Sequence, residues 1–208
     1  MTQKTGIAIV PETFINSKFN KNNINRIVII ESNPFEDATI PICVVCFNGQ
    51  KNEQQIIYKN DKKIGLLKDL LKFKNLIQIK NDFLKSLKFN DILGAIALLG
   101  VDSTNLQKKI KFINKANLSY DLKNVKISSR AITVINSNIL NTLTSQKITQ
   151  TIEKANKILN DFRQKTEDVL LTPFKGNNSL KQRRRRLDFT LASQIITQAF
   201  LEVENLNS

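Results

Sequence analysis

Apolar and polar positions along the chain follow two rhythms: short β-like runs through most of its length, then a helical stripe near its end. Residues 7–10 read as a short buried strand, stopped by Pro11, which cannot donate to a ladder. A helical or turn segment at 13–19 and a polar loop at 18–25 lead to a second strand at 26–31, rich in β-branched residues. A turn around Phe35 precedes a third strand at 39–47, which Asn48-Gly49 closes with a strong turn signal. The pattern then predicts a strand at 55–58, a helix at 66–73, an apolar strand or strand pair at 92–101, a strand at 110–113 and loose β alternation over 123–135. Ile148, Ile152, Ala155, Leu159 and Phe162 recur at spacings of four and three, which is one apolar helix face. Thr172-Pro173 ends that unit, and residues 173–186 read as a basic loop. Asp188 is placed to cap a last helix with Ala192, Ile196, Ala199 and Val203 on one face.

This mixture predicts an α/β chain with compositional breaks near residues 48 and 147. Its 208 residues suffice for one large domain or two small ones. Charge changes the picture more than length does. Thirty-two Lys and Arg against eighteen Asp and Glu leave a net +14, which points to nucleic acid or, less commonly, an anionic membrane surface. The many Lys, Asn and Ile have the look of an AT-rich genome, so scattered Lys carry little information. Arginine is different: of seven in the chain, four stand together as Arg183, Arg184, Arg185 and Arg186. A block of guanidinium groups suits phosphates or base edges.

Several classes are excluded. The chain has no histidine, which removes Ser-His-Asp and Cys-His catalysis and His-ligated zinc. The longest apolar run, residues 92–101, is about half the ~20 residues needed to cross a bilayer. No signal-peptide layout follows Met1, and two Cys fit an intracellular, cytoplasmic protein. Cys43-Val44-Val45-Cys46 has Cys-x-x-Cys spacing, but on a strand these thiols point to opposite faces and cannot share a metal or a disulfide. No metal is expected.

The run Gly6-Ile7-Ala8-Ile9-Val10-Pro11-Glu12, followed by Phe14, resembles the strand and turn after the catalytic tetrapeptide of amino-N6-adenine DNA methyltransferases. Pro34-Phe35-Glu36-Asp37-Ala38-Thr39, leading into residues 41–47, resembles that family's aromatic turn between the last two strands of the sheet. Thr172 to Asn178, with Arg183 to Phe189, resembles more loosely the ends of some phage-associated members. The resemblance implies three parts. Residues 1–48 would be closing strands of a Rossmann-like methyltransferase sheet, 49–146 an α+β target-recognition region, and 147–208 a helical tail with a basic loop. By motif position Phe35 would stack on a target adenine flipped out of double-stranded DNA, the alternative being a core plug at a hairpin tip. Asn33-Pro34-Phe35 could be taken for the catalytic tetrapeptide, but it lacks the second proline and follows the strand that should come after that motif, so Asn33 is not assigned as catalytic.

The departure from the family is large. The sequence contains no Phe-x-Gly-x-Gly loop to cradle S-adenosylmethionine, the cofactor the family implies, and no complete catalytic tetrapeptide. The expectation is a split-gene product, a truncation or the specificity half of a two-chain enzyme, with a second chain carrying the donor-binding half. The expected DNA contacts are Lys175, Asn177, Asn178, Lys181, Arg183, Arg184, Arg185 and Arg186 in the basic loop, and Arg130 beside Ser128-Ser129. A solvated charge run is the alternative for the loop. For Arg130, and for Asp102-Ser103-Thr104-Asn105, it is turn chemistry. The competing functions are a non-enzymatic DNA- or RNA-binding protein derived from such a fragment, and a ribosomal-type RNA-binding protein, whose charge fits but whose strand order does not.

Overall fold

A computed structural model describes residues 5–32, 40–48, 54–105, 109–118 and 131–205. The first sheet is mixed and has five strands. These are β1 (Gly6–Pro11), β2 (Ile24–Ile29), β3 (Ile42–Phe47), β4 (Ile56–Lys59) and β5 (Lys62–Leu66), in the order β1-β3-β2-β4-β5. β3 runs antiparallel to both β1 and β2, and β4 runs parallel to β2. Three strands, β1, β2 and β4, therefore point the same way and end together at Pro11, Ile29 and Lys59. The expected boundary at residue 48 falls inside this sheet, because β4 and β5 extend it.

A helix α1 (Leu67–Leu76) and a short α2 (Asp82–Ser86) lead to a second, antiparallel sheet. Its strands are β6 (Lys88–Phe89), β7 (Ile96–Leu99), β8 (Lys111–Asn114) and β9 (Ile132–Asn136), in the order β6-β9-β7-β8. The apolar run at 92–101 gives only the four residues of β7 because Gly94 closes a turn on Asp91. A Cβ at Gly94 would run into the Ile135 carbonyl, so only glycine lets these backbones approach.

After the short α3 (Asn138–Asn141) comes the long helix α4 (Ser145–Thr166), started by the Thr144 hydroxyl accepting from the Lys147 amide. Its predicted face, Ile148, Ile152, Ala155, Leu159 and Phe162, is buried. It packs against α5 (Phe189–Asn205), β8 and α1. Asp188 caps α5 as expected, its carboxylate accepting from the Leu191 amide at 2.8 Å. Between these helices the expected loop at 173–186 is instead an antiparallel hairpin of β10 (Thr172–Asn177) and β11 (Arg183–Arg186). The chain is α/β, with one core cluster joining both sheets and the helices. Among the described residues no helix is long and apolar enough to cross a membrane.

The two faces of the first sheet differ. Ile27, Ile29, Cys43, Val45 and Ile57 are buried on one face. The register places Ile7, Cys46, Arg26 and Ile56 in one row of the other, and Ile9, Val44, Val28 and Tyr58 in the next. None of these eight is buried, and Ile7 and Ile9 are 75% and 56% exposed. Arg26, which lies over the Tyr58 ring at 4.9 Å, is the one charge in these two apolar rows.

Candidate functional site at the carboxyl ends of the parallel strands

Pro11 ends β1 and turns Glu12 inward, where the Glu12 amide donates to the Pro41 carbonyl at 2.8 Å. The Glu12 carboxylate is 1% exposed and pairs with Arg185, which is equally buried. Glu31, two residues beyond β2, forms an ion pair with Lys59 at the end of β4 at 3.0 Å and lies 3.8 Å from Arg185. The Glu31 amide donates to the Asn60 side chain at 3.2 Å. The ends of all three parallel strands thus converge on one buried charged cluster. Burying Glu12, Glu31 and Arg185 is costly unless they are paired, so their placement here, with half-buried Lys59 beside them, is specific.

Arginine alternation in β11 explains how the cluster forms. Side chains of a strand alternate faces, so Arg183 and Arg185 turn inward and Arg184 and Arg186 outward. Residues Arg183 and Arg185 are 7% and 1% exposed. This corrects the expectation of four phosphate-facing arginines: Arg185 is occupied by Glu12 and enclosed. Arg184 lies over the Phe174 ring at 5.0 Å and donates from Nε to the Asp102 carbonyl at 2.7 Å. Arg186 stays half-buried and its backbone bridges to Val101. Burial pushes the Arg183 guanidinium below its ordinary pKa; Glu12 and Glu31 oppose the shift and Arg185 adds to it.

The expected amide donors serve the hairpin. Asn178 Oδ1 accepts from the Leu180 and Gln182 amides, each at 3.0 Å. The Asn177 side chain donates to the Lys181 carbonyl at 3.0 Å and the Glu31 carbonyl at 3.3 Å. Lys175 and Lys181 are exposed. Phe35, Asn33 and Arg130 lie outside the described residues.

Beside the hairpin opens a polar cleft of about 740 Å³, lined by Lys59, Lys109, Arg163, Gln182 and Arg183 among others. Arg163 lies in its wall and grips two carboxylates, Asp102 through Nη1 and Nη2 and Asp168 through Nε and Nη2, all at 2.8–2.9 Å. Asp102 also accepts from the Arg185 amide at 3.2 Å and the Ile110 amide at 3.1 Å. The thiols of Cys43 and Cys46 are unlinked, on opposite faces of β3 as their spacing requires. Sequence reasoning missed Glu12, Glu31 and Lys59 as site residues, and weighed Asp102 only as a DNA contact or as turn chemistry. The available signal was a charged residue at or within two positions of the end of a β-run, repeated at Glu12, Glu31 and Lys59.

No protein-family model matches the chain, and comparisons with curated proteins and with solved structures gave no match.

Proposed function

We propose that this chain is the DNA-contacting C-terminal portion of an adenine-N6 DNA methyltransferase, acting with a second chain that supplies S-adenosylmethionine binding and the catalytic tetrapeptide. The observation that carries this reading is convergence. The segments bearing the family resemblance are more than a hundred residues apart, yet Glu12 of the first pairs with Arg185 of the last. Asn177 of the last also holds the Glu31 carbonyl, just before the Phe35 turn. Phe35 lies in sequence between β2 and β3, which meet antiparallel at the end where β2 finishes and β3 begins. Open α/β sheets place ligands outside the carboxyl ends of their strands, and a stacking Phe35 beside this end would meet a flipped base there.

The partner chain has a surface to use. A sheet that leaves one face to water ordinarily alternates polar residues onto that face. Here the rows from Ile7 to Ile56 and from Ile9 to Tyr58 stay open and apolar around Arg26. Among the described residues Arg26 has no carboxylate partner, so the complementary surface is apolar with an acidic group opposite it. A second copy of this chain would set Arg26 against Arg26 on two molecules of net charge +14, which disfavours self-pairing. On the exposed side of the hairpin, phosphate contact falls to Lys175 and Lys181, with Arg184 and Arg186 on the outer face of β11.

The test is reconstitution with a chain carrying the donor loop and tetrapeptide, read as methyl transfer to adenine N6 in duplex DNA. Transfer should require both chains, and this chain alone should bind duplex but no S-adenosylmethionine. Phe35→Ala should lower transfer by an amount equivalent to about 1–3 kcal/mol of stacking while leaving folding intact. Donor binding by this chain alone, or a large fall in melting temperature of Phe35→Ala, would overturn the assignment. The alternative, a nucleic-acid-binding protein without methyl transfer, rests on the charge and predicts duplex or RNA binding that no donor-binding chain converts to catalysis.

A further inference from the structure

The cleft beside the hairpin has an imbalance that the charged cluster does not resolve. Its carboxylates are engaged: Asp102 and Asp168 hold Arg163, and Glu167 pairs with Lys62 at 2.8 Å. Lys59 is held by Glu31. Two lining cations, Arg183 and Lys109, have no carboxylate or hydrogen-bond partner for their side chains among the described residues. Lys109 is exposed, as an unpaired lysine ordinarily is. Arg183 is not: it is 7% exposed, and its Nε and Nη2 are enclosed with nothing to donate to. Glu12 and Glu31 act on its charge from a distance, but their ion pairs are made to Arg185 and Lys59.

A buried guanidinium without an acceptor is among the costliest groups a fold can carry, and such groups call for a ligand, an ion or a function. Arg183 is held there by its place on β11, opposite Asn177, so it cannot leave for solvent without breaking the hairpin. Arg183 lines the cleft, Nη1 being the guanidinium nitrogen that is not enclosed, and the cleft's size is in the range of ordinary ligand sites.

We propose that this cleft is a phosphate-binding site, with Arg183 as the anchoring donor at its wall and Lys109 adding charge at its rim. A guanidinium N–H makes a strong charge-assisted hydrogen bond to a phosphate oxygen, and a chain of net charge +14 favours a phosphate over a singly charged carboxylate. The phosphate belongs either to a nucleic-acid backbone or to a free phosphate compound, and only the first source rests on the DNA reading above.

The experiment is thermal unfolding and calorimetry of the full chain with inorganic phosphate, and separately with a short DNA duplex, against chloride at matched ionic strength. Phosphate should raise the melting temperature of the parent above the chloride control. Arg183→Met should abolish that rise and itself melt at or above the parent, because it removes an uncompensated buried charge. Lys109→Gln, on the rim, should melt like the parent and bind phosphate roughly tenfold more weakly, the scale of one lost charged contact. Competition between duplex and phosphate, dependent on Arg183, assigns the site to the DNA backbone. Phosphate binding through Arg183 without competition assigns it to a free phosphate compound and leaves the site standing. An equal phosphate effect in parent and Arg183→Met, or no phosphate effect and no Arg183-dependent duplex binding, overturns the proposal.

Discussion

Two arginine clusters share Asp102 as a common wall and are built on opposite terms. Around Arg163 the donors of the guanidinium are matched: four hydrogen bonds reach Asp102 and Asp168. Although burial opposes it, those two carboxylates hold the Arg163 pKa above its ordinary value. Around Arg183 and Arg185 the charges are more deeply buried and the donors are not matched. Nε and Nη2 of both arginines and Oε2 of Glu12 are enclosed without hydrogen-bond partners. A fully paired network adds rigidity, whereas a partly paired one is retained only where something else compensates it. The first cluster is therefore a structural clamp joining α4 to Asp102. The second, at the strand ends that open α/β sheets use for ligands, is where function is expected.

The sharpest way to break this contrast is to remove one half of the deepest pair. Arg185→Met leaves the Glu12 carboxylate buried with no counter-charge, and should cost about 3–5 kcal/mol in denaturant unfolding. Glu12→Met added to it should recover most of that loss, since replacing a buried pair by apolar groups is often neutral. If the double variant is as unstable as the single one, the pair is a net contributor to the fold and the contrast fails. Arg163→Met should cost less, about 1.5–3 kcal/mol, because Asp102 and Asp168 keep partial access to water and Asp102 retains its amide donors. A larger loss from Arg163 than from Arg185 would reverse the ranking of the two clusters.

Much of the framework was legible in the chain itself. The helical stripe from Ile148 to Phe162 and the cap at Asp188 were readable because spacing and capping chemistry are local. The strands at 7–10, 26–31 and 39–47 carry dense β-branched runs and all three formed, but the first, expected to be buried, is an edge strand that leaves Ile7 and Ile9 exposed. The hairpin at 172–186 was not readable as β-structure, since glycine, asparagine and charge dominate it and its strands are set by burial against Glu12 and Asp102. The same blindness produced the error at the candidate site. Four consecutive arginines look like a phosphate-facing loop until the strand that carries them is recognised, and only then does period two turn Arg183 and Arg185 inward. The carboxylate partner of Arg185, Glu12, lies 173 residues away in sequence, beyond any local signal.

The smallest expected effect tests whether the second cluster is self-neutralising. Cys43 lies on β3 opposite Val10, wholly buried, with its thiol near the Pro11 carbonyl. Burial, and then the negative charge of Glu12, push its pKa up to about 12. An unfolded thiol titrates near 8.5, so as pH rises the unfolded chain loses its proton first. The associated stability is complete below about pH 8.5 and is lost progressively as pH rises toward the folded value. Unfolding midpoints between neutral and strongly alkaline pH should therefore fall, with Cys43 resisting alkylation in the folded chain at pH 9. In Glu12→Met/Arg185→Met the carboxylate is gone, so the folded thiol should titrate lower and the alkaline loss attributable to Cys43 should shrink. Alkylation of Cys43 at a given alkaline pH should quicken to match. An unchanged pH profile and unchanged alkylation would mean that Arg185 already cancels Glu12 at the thiol, and that the buried pair is electrically as closed as the Arg163 clamp.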